Sequence, residues 1–461
     1  MNNSPNNTNY PTKMIKIKRS IMVRPSKDTP KGTLWLSRVD MFLRTPYSHT
    51  TKFFIYQPKF LSQNYDTNIF ISALSKVLVP FYPLAGRLRL NATKDRYEID
   101  CNAEGVLFVE ADTTLTIADL GDFRPSVGLR TCLTPSWDYS SSELESIPLE
   151  MLQLTRFKCG GVALGYASHH HVADGTSHAQ FLYSLCRVAK GLDLVVPPIH
   201  DRMLHFSPRD PPRVGFSHSE FDPLGPSLSL NGPSGETETT QSIFILSKEQ
   251  INTLKQQVIS ESHHYKTDKP TTYEVLAAHI CRSTCKTRGL DHNQDVKLYT
   301  PVDGRHKLKN PPLPKGYFGN VLFFTFCKIK ACDIIHKPLW YIVHKIQEAK
   351  KHMSSEEYLR SGTDYLESLS GLPDPLIGAQ KSMYPNILVN SWARLPFDSA
   401  DFGLGPPTFC GNCEVKLEGL CFLVTSPSGD GSVSLAINLF AQHMPLFEKY
   451  FYDFLPIKSN L

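Results

Sequence analysis

The chain has 461 residues, of which 41% are hydrophobic and 20% are charged. This composition is typical of folded globular proteins and excludes collagen-like repetition and wholesale disorder. The net charge is +5, and no basic run with interleaved aromatic residues occurs, so nucleic acid is not an expected partner. No run of about eighteen apolar residues is present either, and we therefore expect no membrane span.

Eleven cysteines at irregular spacing do not match the framework of a small disulfide-stabilised domain, and they indicate a reducing compartment. Residues 1–13 are rich in Asn, Pro and Thr. This composition predicts a disordered tail, without the apolar centre of a secretory signal. We therefore expect a cytoplasmic protein.

A first globular half is predicted over residues 14–200. Asp66 is a candidate N-cap for a helix that ends at Pro80, with apolar residues at helical spacing between them. A second helix is expected to begin near Thr176 or Ser177. Alternating apolar residues predict strands at Tyr97–Asp100, Val106–Val109, Met151–Phe157 and Val162–Ala167.

Residues 201–241 are rich in Pro, Ser and Gly and poor in long apolar side chains, which predicts a linker that crosses between two halves. Residues 242–461 form the predicted second half. Its strands are expected at Ser242–Leu246, Asn320–Cys327 and Ser432–Leu439, and its helices at Lys248–Ile259, Tyr273–Thr287 and Leu339–His352.

The segment 168–175 reads Ser-His-His-His-Val-Ala-Asp-Gly and lies between a predicted strand and a predicted helix, where a side chain can be exposed. A histidine there can act as a general base, because its ordinary pKa of about 6.5 lets it take up and release a proton near neutral pH. Asp174 follows four residues after His170, and its carboxylate can fix the local turn or the tautomer of a histidine. Gly175 allows a close approach of backbone and substrate.

The three histidines have two other interpretations. A metal site is disfavoured because adjacent residues on an extended strand point to opposite faces, so that His169, His170 and His171 cannot all bind one ion. Histidines that serve only the structure fit the segment as well as a catalytic one does. The residues of this segment alone leave that choice open.

About 230 residues after the histidine segment the chain reads Asp-Phe-Gly-Leu-Gly, at positions 401–405. Together the two segments resemble the BAHD family of plant acyl-CoA-dependent acyltransferases, and the resemblance extends over about residues 14–454. Further segments that agree with the family are residues 74–88, 157–161, 303–305 and 316–320. The branch that includes shikimate/quinate hydroxycinnamoyltransferases and rosmarinic acid synthase is indicated by residues 21–25, 201–202 and 209–212.

The resemblance implies an α/β fold of the two-domain chloramphenicol-acetyltransferase type, with mixed sheets and an active-site channel between the domains. It also implies an acyl-CoA donor as co-substrate and a small-molecule acceptor, without a permanently bound cofactor. Relatives are usually monomers, and we expect a monomer here.

The resemblance also implies roles for the residues of the histidine segment. His170 matches the general base of the family, which deprotonates the acceptor as it attacks the thioester carbonyl. Both substrates can be held together, so direct transfer requires no acyl-enzyme. Asp174 matches a structural aspartate that pairs with an arginine, here Arg305, and Gly175 leaves room beside it.

The second motif contains matches and a departure. Asp401 and Gly403 match structural residues that shape the wall near the CoA entrance. Leu404 stands where the family has a tryptophan, and it offers no indole donor and less aromatic surface to the acceptor pocket.

Further departures fall in the region of the acceptor pocket. In the shikimate/quinate branch, an arginine that holds the acceptor's carboxylate precedes a Thr-Ser-Trp sequence; here Ile377 matches that arginine, and Asn390 and Trp392 match the Thr and Trp. Ile377 cannot bind a carboxylate, although Lys381 can supply a weaker point charge. Asn390 can still donate to the oxyanion of a tetrahedral intermediate.

These departures indicate an acceptor less acidic than shikimate, such as a neutral alcohol, a glycoside, a phenol or an amine. The leading expectation is an ester made from a hydroxycinnamoyl-type donor, and the alternative is acylation of a polyamine or aryl amine. A non-catalytic relative that binds metabolites is motivated by Leu404 and Ile377 and opposed by the intact His170, Asp174 and Arg305. A condensation domain of peptide synthesis shares the histidine motif, but it normally stands among carrier domains.

Two further segments have structural explanations that fit equally well or better. Cys410-Gly411-Asn412-Cys413 has the spacing of a metal or redox motif, but without a second pair at suitable spacing unpaired thiols are expected. Thr271 and Thr272 open a predicted helix and can donate to the phosphates or pantetheine of CoA, although a plain helix cap fits as well.

Overall fold

The computed structural model describes residues 14–42, 48–57, 66–222, 238–262, 268–372, 381–426 and 429–454. The predicted tail, the middle of the predicted linker at 223–237 and Ile377 lie outside the described residues. The described residues form two six-stranded mixed sheets, a three-stranded sheet and helices packed on them. The predicted α/β class is confirmed.

The first half, together with the start of the predicted linker, contributes eight strands and five helices to the described residues. The strands are β1 (Ile15–Val23), β2 (Thr33–Trp35), β3 (His49–Tyr56), β4 (Arg87–Asn91), β5 (Arg96–Asp100), β6 (Val106–Thr113), β7 (Glu150–Phe157) and β8 (Val162–His169). The helices are α1 (Arg38–Met41), α2 (Thr67–Val77), α3 (Val127–Leu133), α4 (Gly175–Ala189) and α5 (Met203–Phe206).

The second half contributes seven strands and six helices to the described residues. The strands are β9 (Thr239–Leu246), β10 (Asp295–Asp303), β11 (Leu322–Lys330), β12 (Ile387–Ser391), β13 (Phe409–Asn412), β14 (Leu420–Thr425) and β15 (Val433–Phe440). The helices are α6 (Lys248–Glu261), α7 (Thr272–Arg288), α8 (Ala331–His336), α9 (Leu339–His352), α10 (Glu356–Ser368) and α11 (Met444–Tyr452). Among the described helices, none is long and apolar enough to cross a membrane.

The helix starts follow from local side-chain chemistry. Asp66 caps α2 by accepting a hydrogen bond from the backbone N–H of Asn68, as its position before the apolar run predicts. Helix α4 begins slightly earlier than expected, at Gly175, because Asp174 is its N-cap and accepts from the backbone N–H of Ser177. Strand β8, which pairs antiparallel with β7, leads into α4 through a short loop.

The two large sheets have the strand orders β1-β6-β7-β8-β3-β13 and β11-β10-β12-β14-β15-β9. Strand β13 belongs to the second half in sequence but pairs antiparallel with β3 of the first sheet, with Asn412 opposite Lys52. The second half thus supplies an edge strand to the first sheet. A simple division of the chain near residue 242 does not describe this exchange.

The hydrophobic core also joins the halves. Phe81 packs edge-on against Phe181 at 5.4 Å and against Phe318 of the second half at 5.1 Å between ring centroids. All three rings are buried, and burial of one such side chain stabilises a fold by about 1.5–3 kcal/mol. A second core surrounds α7 and lies within the second half.

Candidate active site

The histidine loop lies between the end of β8 at His169 and the start of α4 at Gly175. The chain reverses direction in a turn, in which the backbone N–H of Val172 donates to the carbonyl of His169. From position 162 to position 174, every residue is buried except His170, which is partly exposed. Of the three histidines, His170 therefore presents the accessible imidazole.

The two flanking histidines are packed into the interior. The ring of His169 contacts His49 edge-on at 5.3 Å, and its Nδ1 accepts a hydrogen bond from the backbone N–H of His171. The ring of His171 packs against Tyr97 at 5.7 Å, and burial holds the pKa of His171 well below its usual value. Both side chains serve the structure. The described residues contain no group of three side chains placed to hold a metal ion.

The backbone of the loop is fixed by donors from outside the first sheet. Asn320 donates its side-chain amide to the carbonyl of His170 and to Asp40, each at 2.9 Å. Arg202 donates to the carbonyl of Val172 at 2.5 Å and forms an ion pair with Asp40 at 3.2 Å, with both side chains fully buried. Since carbonyls of the loop are held in this way, the position of the His170 backbone is set by both halves.

Sequence reasoning did not assign roles to these residues. Arg202 and Asn320 fell within segments that matched the family, but a hydrogen bond to a loop carbonyl leaves no pattern in one sequence. Asp40 carried one usable signal, since it stands three residues after Ser37, and the two form a capping box at the start of α1.

Asp174 connects the loop to the second half. Arg305 donates to both carboxylate oxygens, at 2.8 and 2.9 Å, and the backbone N–H of Val321 donates to the carboxylate at 2.9 Å. Burial would raise the pKa of Asp174, but the Arg305 guanidinium and these hydrogen bonds hold it below its usual value. With the N–H of Ser177 also bound, both carboxylate oxygens accept hydrogen bonds from Arg305 and from the backbone. These contacts favour the structural role that the resemblance implies for Asp174, and that role stays a prediction.

Gly175 lies in a close contact. A Cβ atom at this position would come within 2.8 Å of the side chain of Leu395, which belongs to the second half. A side chain at position 175 would therefore require Leu395 to move. The predicted role of Gly175 beside the pair of Asp174 and Arg305 stays a prediction.

Asn390 and Trp392 lie at the end of β12. Asn390 is partly exposed, and Trp392 is buried against Phe422 at 5.0 Å and Phe397 at 5.6 Å between ring centroids. The ammonium of Lys52, from β3 of the first half, lies 5.9 Å from the Trp392 ring. Strand β12 thus ends where the two halves meet.

The second motif forms a loop around Asp401. Its carboxylate accepts from the backbone N–H groups of Gly403 and Gly405 at 2.9 and 3.0 Å and pairs with Lys190, the C-cap of α4, at 3.2 Å. Both glycines have positive φ, which side-chain-bearing residues rarely adopt. Leu404 is buried in the shared core. Its predicted place in an acceptor pocket, like that of Ile377, stays a prediction.

The two weaker candidates have local explanations. Thr271 and Glu274 form a capping box at the start of α7, with hydrogen bonds of 3.3 and 2.9 Å. Thr271 is therefore a helix cap. The contact of Thr271 and Thr272 with CoA stays a prediction. Cys410 and Cys413 are free and buried, and burial raises the pKa of Cys410 to about 12. A protonated, buried thiol is a poor nucleophile and metal ligand.

Comparisons with known proteins agree with this geometry. A model of the Transferase family matches residues 13–454. Anthranilate N-benzoyltransferase protein 1 of Dianthus caryophyllus is 52% identical over 450 residues, which cover 95% of this chain and 100% of that protein. Shikimate O-hydroxycinnamoyltransferase of Nicotiana tabacum is 46% identical over 445 residues, with 95% and 100% covered.

Two solved structures share the fold. Vinorine synthase superposes with a TM-score of 0.72 at 23% identity, covering 96% of this chain and 98% of that one. TRI101 of F. sporotrichioides, solved with coenzyme A and T-2, superposes with a TM-score of 0.70 at 18% identity, covering 90% and 97%.

The chain therefore has the two-domain fold of these two acyltransferases. The histidine loop lies where its two halves meet. On the family match and the full-length relatives, the chain belongs to the BAHD acyltransferase family and is an acyl-transferring enzyme.

Proposed function

We propose that this enzyme transfers an aromatic acyl group from a CoA thioester to the amine of a small aromatic acceptor that carries a carboxylate, with His170 as general base. The observation that carries the choice of an amine is the 52% identity, over 95% of the chain, to an anthranilate N-benzoyltransferase, against 46% for a shikimate O-hydroxycinnamoyltransferase. The hydroxyl acceptor expected from the motifs becomes the second candidate.

The proposed reaction is a direct acyl transfer. The acceptor nitrogen attacks the thioester carbonyl, and His170 takes the proton that the nitrogen loses. The amide of Asn390, partly exposed at the end of β12, donates to the oxyanion of the tetrahedral intermediate. Collapse of the intermediate breaks the carbon–sulfur bond, and His170 returns its proton to the sulfur of CoA. Acyl-CoA is thus a co-substrate, and no acyl-enzyme forms.

Lys381 is the residue we propose for the carboxylate of the acceptor. Its ammonium is buried among the rings of Phe42, Tyr299 and Phe324, at 5.1–5.4 Å from the ring centroids. Tyr299 lies opposite Leu388 on β12, two residues before Asn390. Burial lowers the pKa of Lys381 to about 7, and a carboxylate beside it would favour its charged form.

The test supplies the wild-type enzyme with benzoyl-CoA or 4-coumaroyl-CoA, together with anthranilate or shikimate, and identifies products by mass spectrometry. We expect the amide of anthranilate as the main product. Formation of the shikimate ester alone would contradict the proposal and favour the second candidate.

The role of Lys381 is tested with Lys381→Met. Loss of one charge-assisted contact is expected to lower kcat/KM for anthranilate about 10- to 100-fold. Aniline, which lacks the carboxylate, serves as the internal control and should be affected much less. An equal loss for both acceptors would show that Lys381 maintains the fold rather than binding the carboxylate.

We propose further that the enzyme acts as a cytoplasmic monomer. The irregular spacing of the eleven cysteines, which does not match a disulfide framework, supports a reducing compartment. Size-exclusion chromatography with light scattering tests the monomer, and a dimer at micromolar concentration would contradict it.

A further inference from the structure

The start of the predicted linker is bound to the second half by backbone hydrogen bonds. The N–H of Ile199 donates to the carbonyl of Gly316 at 2.9 Å, and the N–H of Phe318 donates to the carbonyl of Ile199 at 2.8 Å. We call residues 199–202 the linker start. The chain is thus fixed to the second half shortly before Arg202, the last residue of the linker start.

Arg202 connects the linker start to the histidine loop. Its side chain is fully buried. Nη2 donates to the carbonyl of Val172 at 2.5 Å, and Nη1 lies 3.2 Å from Oδ1 of Asp40. A planar guanidinium presents its donors in fixed directions, so one side chain can bind the carbonyl and the carboxylate together.

The carboxylate of Asp40 accepts hydrogen bonds from separate parts of the chain. Oδ2 accepts from the backbone N–H and the hydroxyl of Ser37 at 2.9 and 2.8 Å. Oδ1 accepts from the backbone N–H of Asn320 at 3.1 Å and from its side-chain amide at 2.9 Å. Because donors bind both oxygens, the carboxylate has a fixed orientation, and it holds Asn320 and Arg202 at the same oxygen atom.

Asn320 contacts the residue that carries the candidate base. Its side-chain amide donates to the carbonyl of His170 at 2.9 Å, from the nitrogen that also binds the carboxylate. Arg202 binds the carbonyl of Val172, two residues further along the loop. Two buried side chains from outside the loop therefore hold its backbone, at position 170 itself and at position 172.

We propose that three positioning residues hold His170 in place for the chemical step: Arg202, Asp40 and Asn320. They fix the backbone at His170, and with it the direction from which the imidazole meets the acceptor. This inference rests on the proposed function of His170 as general base. A general base acts only within hydrogen-bond reach of the proton that it takes, and a misplacement of about 1 Å can lower a rate about 10²-fold. The three side chains are buried, so they act through His170 and not on the substrates.

The first variant is Asn320→Ala, which removes the amide that binds His170 and leaves Arg202 paired with Asp40. With benzoyl-CoA and anthranilate, kcat is expected to fall about 10- to 100-fold. The KM of each substrate should stay within about twofold of the wild-type value, because no substrate contact is removed. Release of CoA, followed with a thiol reagent, measures both quantities.

The second variant is Arg202→Lys. It keeps a positive charge beside Asp40, but an ammonium lacks the planar fork that binds the carboxylate and the carbonyl of Val172 together, so kcat should fall in the same range. Arg288→Lys is the matched control. Arg288 is also buried, pairs with Glu418 at 2.7 Å and donates to a backbone carbonyl at 2.8 Å, so its replacement should lower stability and leave kcat unchanged.

A double-mutant cycle separates positioning of His170 from a merely structural role. The residual product of His170→Ala is measured by mass spectrometry over hours, alone and in combination with Asn320→Ala. If the amide acts through His170, the combined variant should keep the residual rate of His170→Ala within about twofold. A merely structural asparagine would lower that residual rate by the same factor as it lowers the wild-type rate.

Thermal unfolding shows which variants are folded at the assay temperature, and the cycle is run with Arg202→Lys if Asn320→Ala is not. Wild-type kcat in Asn320→Ala and Arg202→Lys would overturn the inference alone, and so would an equal effect of either change with and without His170. A wild type without acyl transfer from any CoA thioester, or full turnover in His170→Ala, would overturn the proposed function instead.

Discussion

At the scale of single residues, the histidine loop separates one catalytic candidate from two structural histidines. The three rings are adjacent in sequence, yet burial gives them different chemistry. His169 and His171 pack into the interior, and only His170 is partly exposed. A proton acceptor must reach the substrate, so its exposure makes His170 the candidate base among the three histidines.

Replacement of this base is the first prediction at this scale. His170→Ala should lower kcat about 10²- to 10⁴-fold, the range for loss of a general base, without a matching loss of stability. Release of CoA, followed with a thiol reagent, measures the effect. His306→Ala, at an exposed histidine, is the control and should keep full activity. Unchanged turnover in His170→Ala would reject the assignment.

The buried cluster of Lys52, Glu150, Tyr166 and His178 shows why the surroundings of a site cannot be predicted completely from one sequence. Alternation along β8 predicts which side chains face inward, but it does not reveal that Lys52, Glu150 and His178 come together from three other elements. Those contacts depend on strand order and on the helix that covers the sheet. The motif residues were accessible to sequence reasoning because they lie close together in the chain.

At the scale of elements, the ion pair between Asp174 and Arg305 helps to connect α4 with the strand pair β10–β11. Asp174 caps α4, and Arg305 follows β10. The guanidinium also donates to the hydroxyl of Ser177 and to the carbonyl of Gly319. The pair therefore couples the start of a helix in one half to a turn in the other.

This coupling gives a prediction about stability. Arg305→Met leaves the Asp174 carboxylate buried without its partner and should lower the free energy of unfolding by about 3–5 kcal/mol. Arg305→Met combined with Asp174→Asn should cost less than the sum of the two single changes, since the uncompensated charge is removed. Urea unfolding of the four proteins measures this difference. Additive effects would show that the two side chains do not act as a pair.

Element boundaries were predictable where a local rule decides them. The caps at Asp66 and Thr271 agree with the structure because Ncap chemistry acts within one helical turn. Strand β13 was not predicted. It is only four residues long, and Cys410 within it, together with Cys413 after it, suggested a different motif. Its pairing with β3 depends on a segment more than 350 positions away.

At the scale of the whole molecule, buried neutral histidines in both halves make stability depend on acid. Burial lowers the pKa of His171 in the first half, and it lowers that of His279 in the second half to about 4. An unfolded histidine has a pKa of about 6.5. The unfolded chain therefore binds more protons as the pH falls below this value, and stability is lost between about pH 6.5 and 4.

The corresponding prediction concerns the slope of stability against pH. His279 lies with Nε2 2.8 Å from the carbonyl of Phe451, and His279→Gln can keep a donor there without titrating. Between pH 6 and 4.5, the free energy of unfolding of His279→Gln should fall less steeply than that of the wild type. The two slopes should differ by up to about 1.4 kcal/mol per pH unit. His306→Gln is the exposed control. Equal slopes in wild type and His279→Gln would contradict the prediction.

The placement of β13 on the far edge of the first sheet has a consequence for biosynthesis. When residues 1–222 have been synthesised, the histidine loop, α4 and the strands beside them are already part of the nascent chain. Strand β13, which pairs with β3, and Arg305, which binds Asp174, have not yet been synthesised. A nascent or prematurely terminated chain thus exposes an open β-strand edge that invites aggregation. Because β13 ends at position 412 of 461, the first sheet can be completed only after most of the chain has been synthesised.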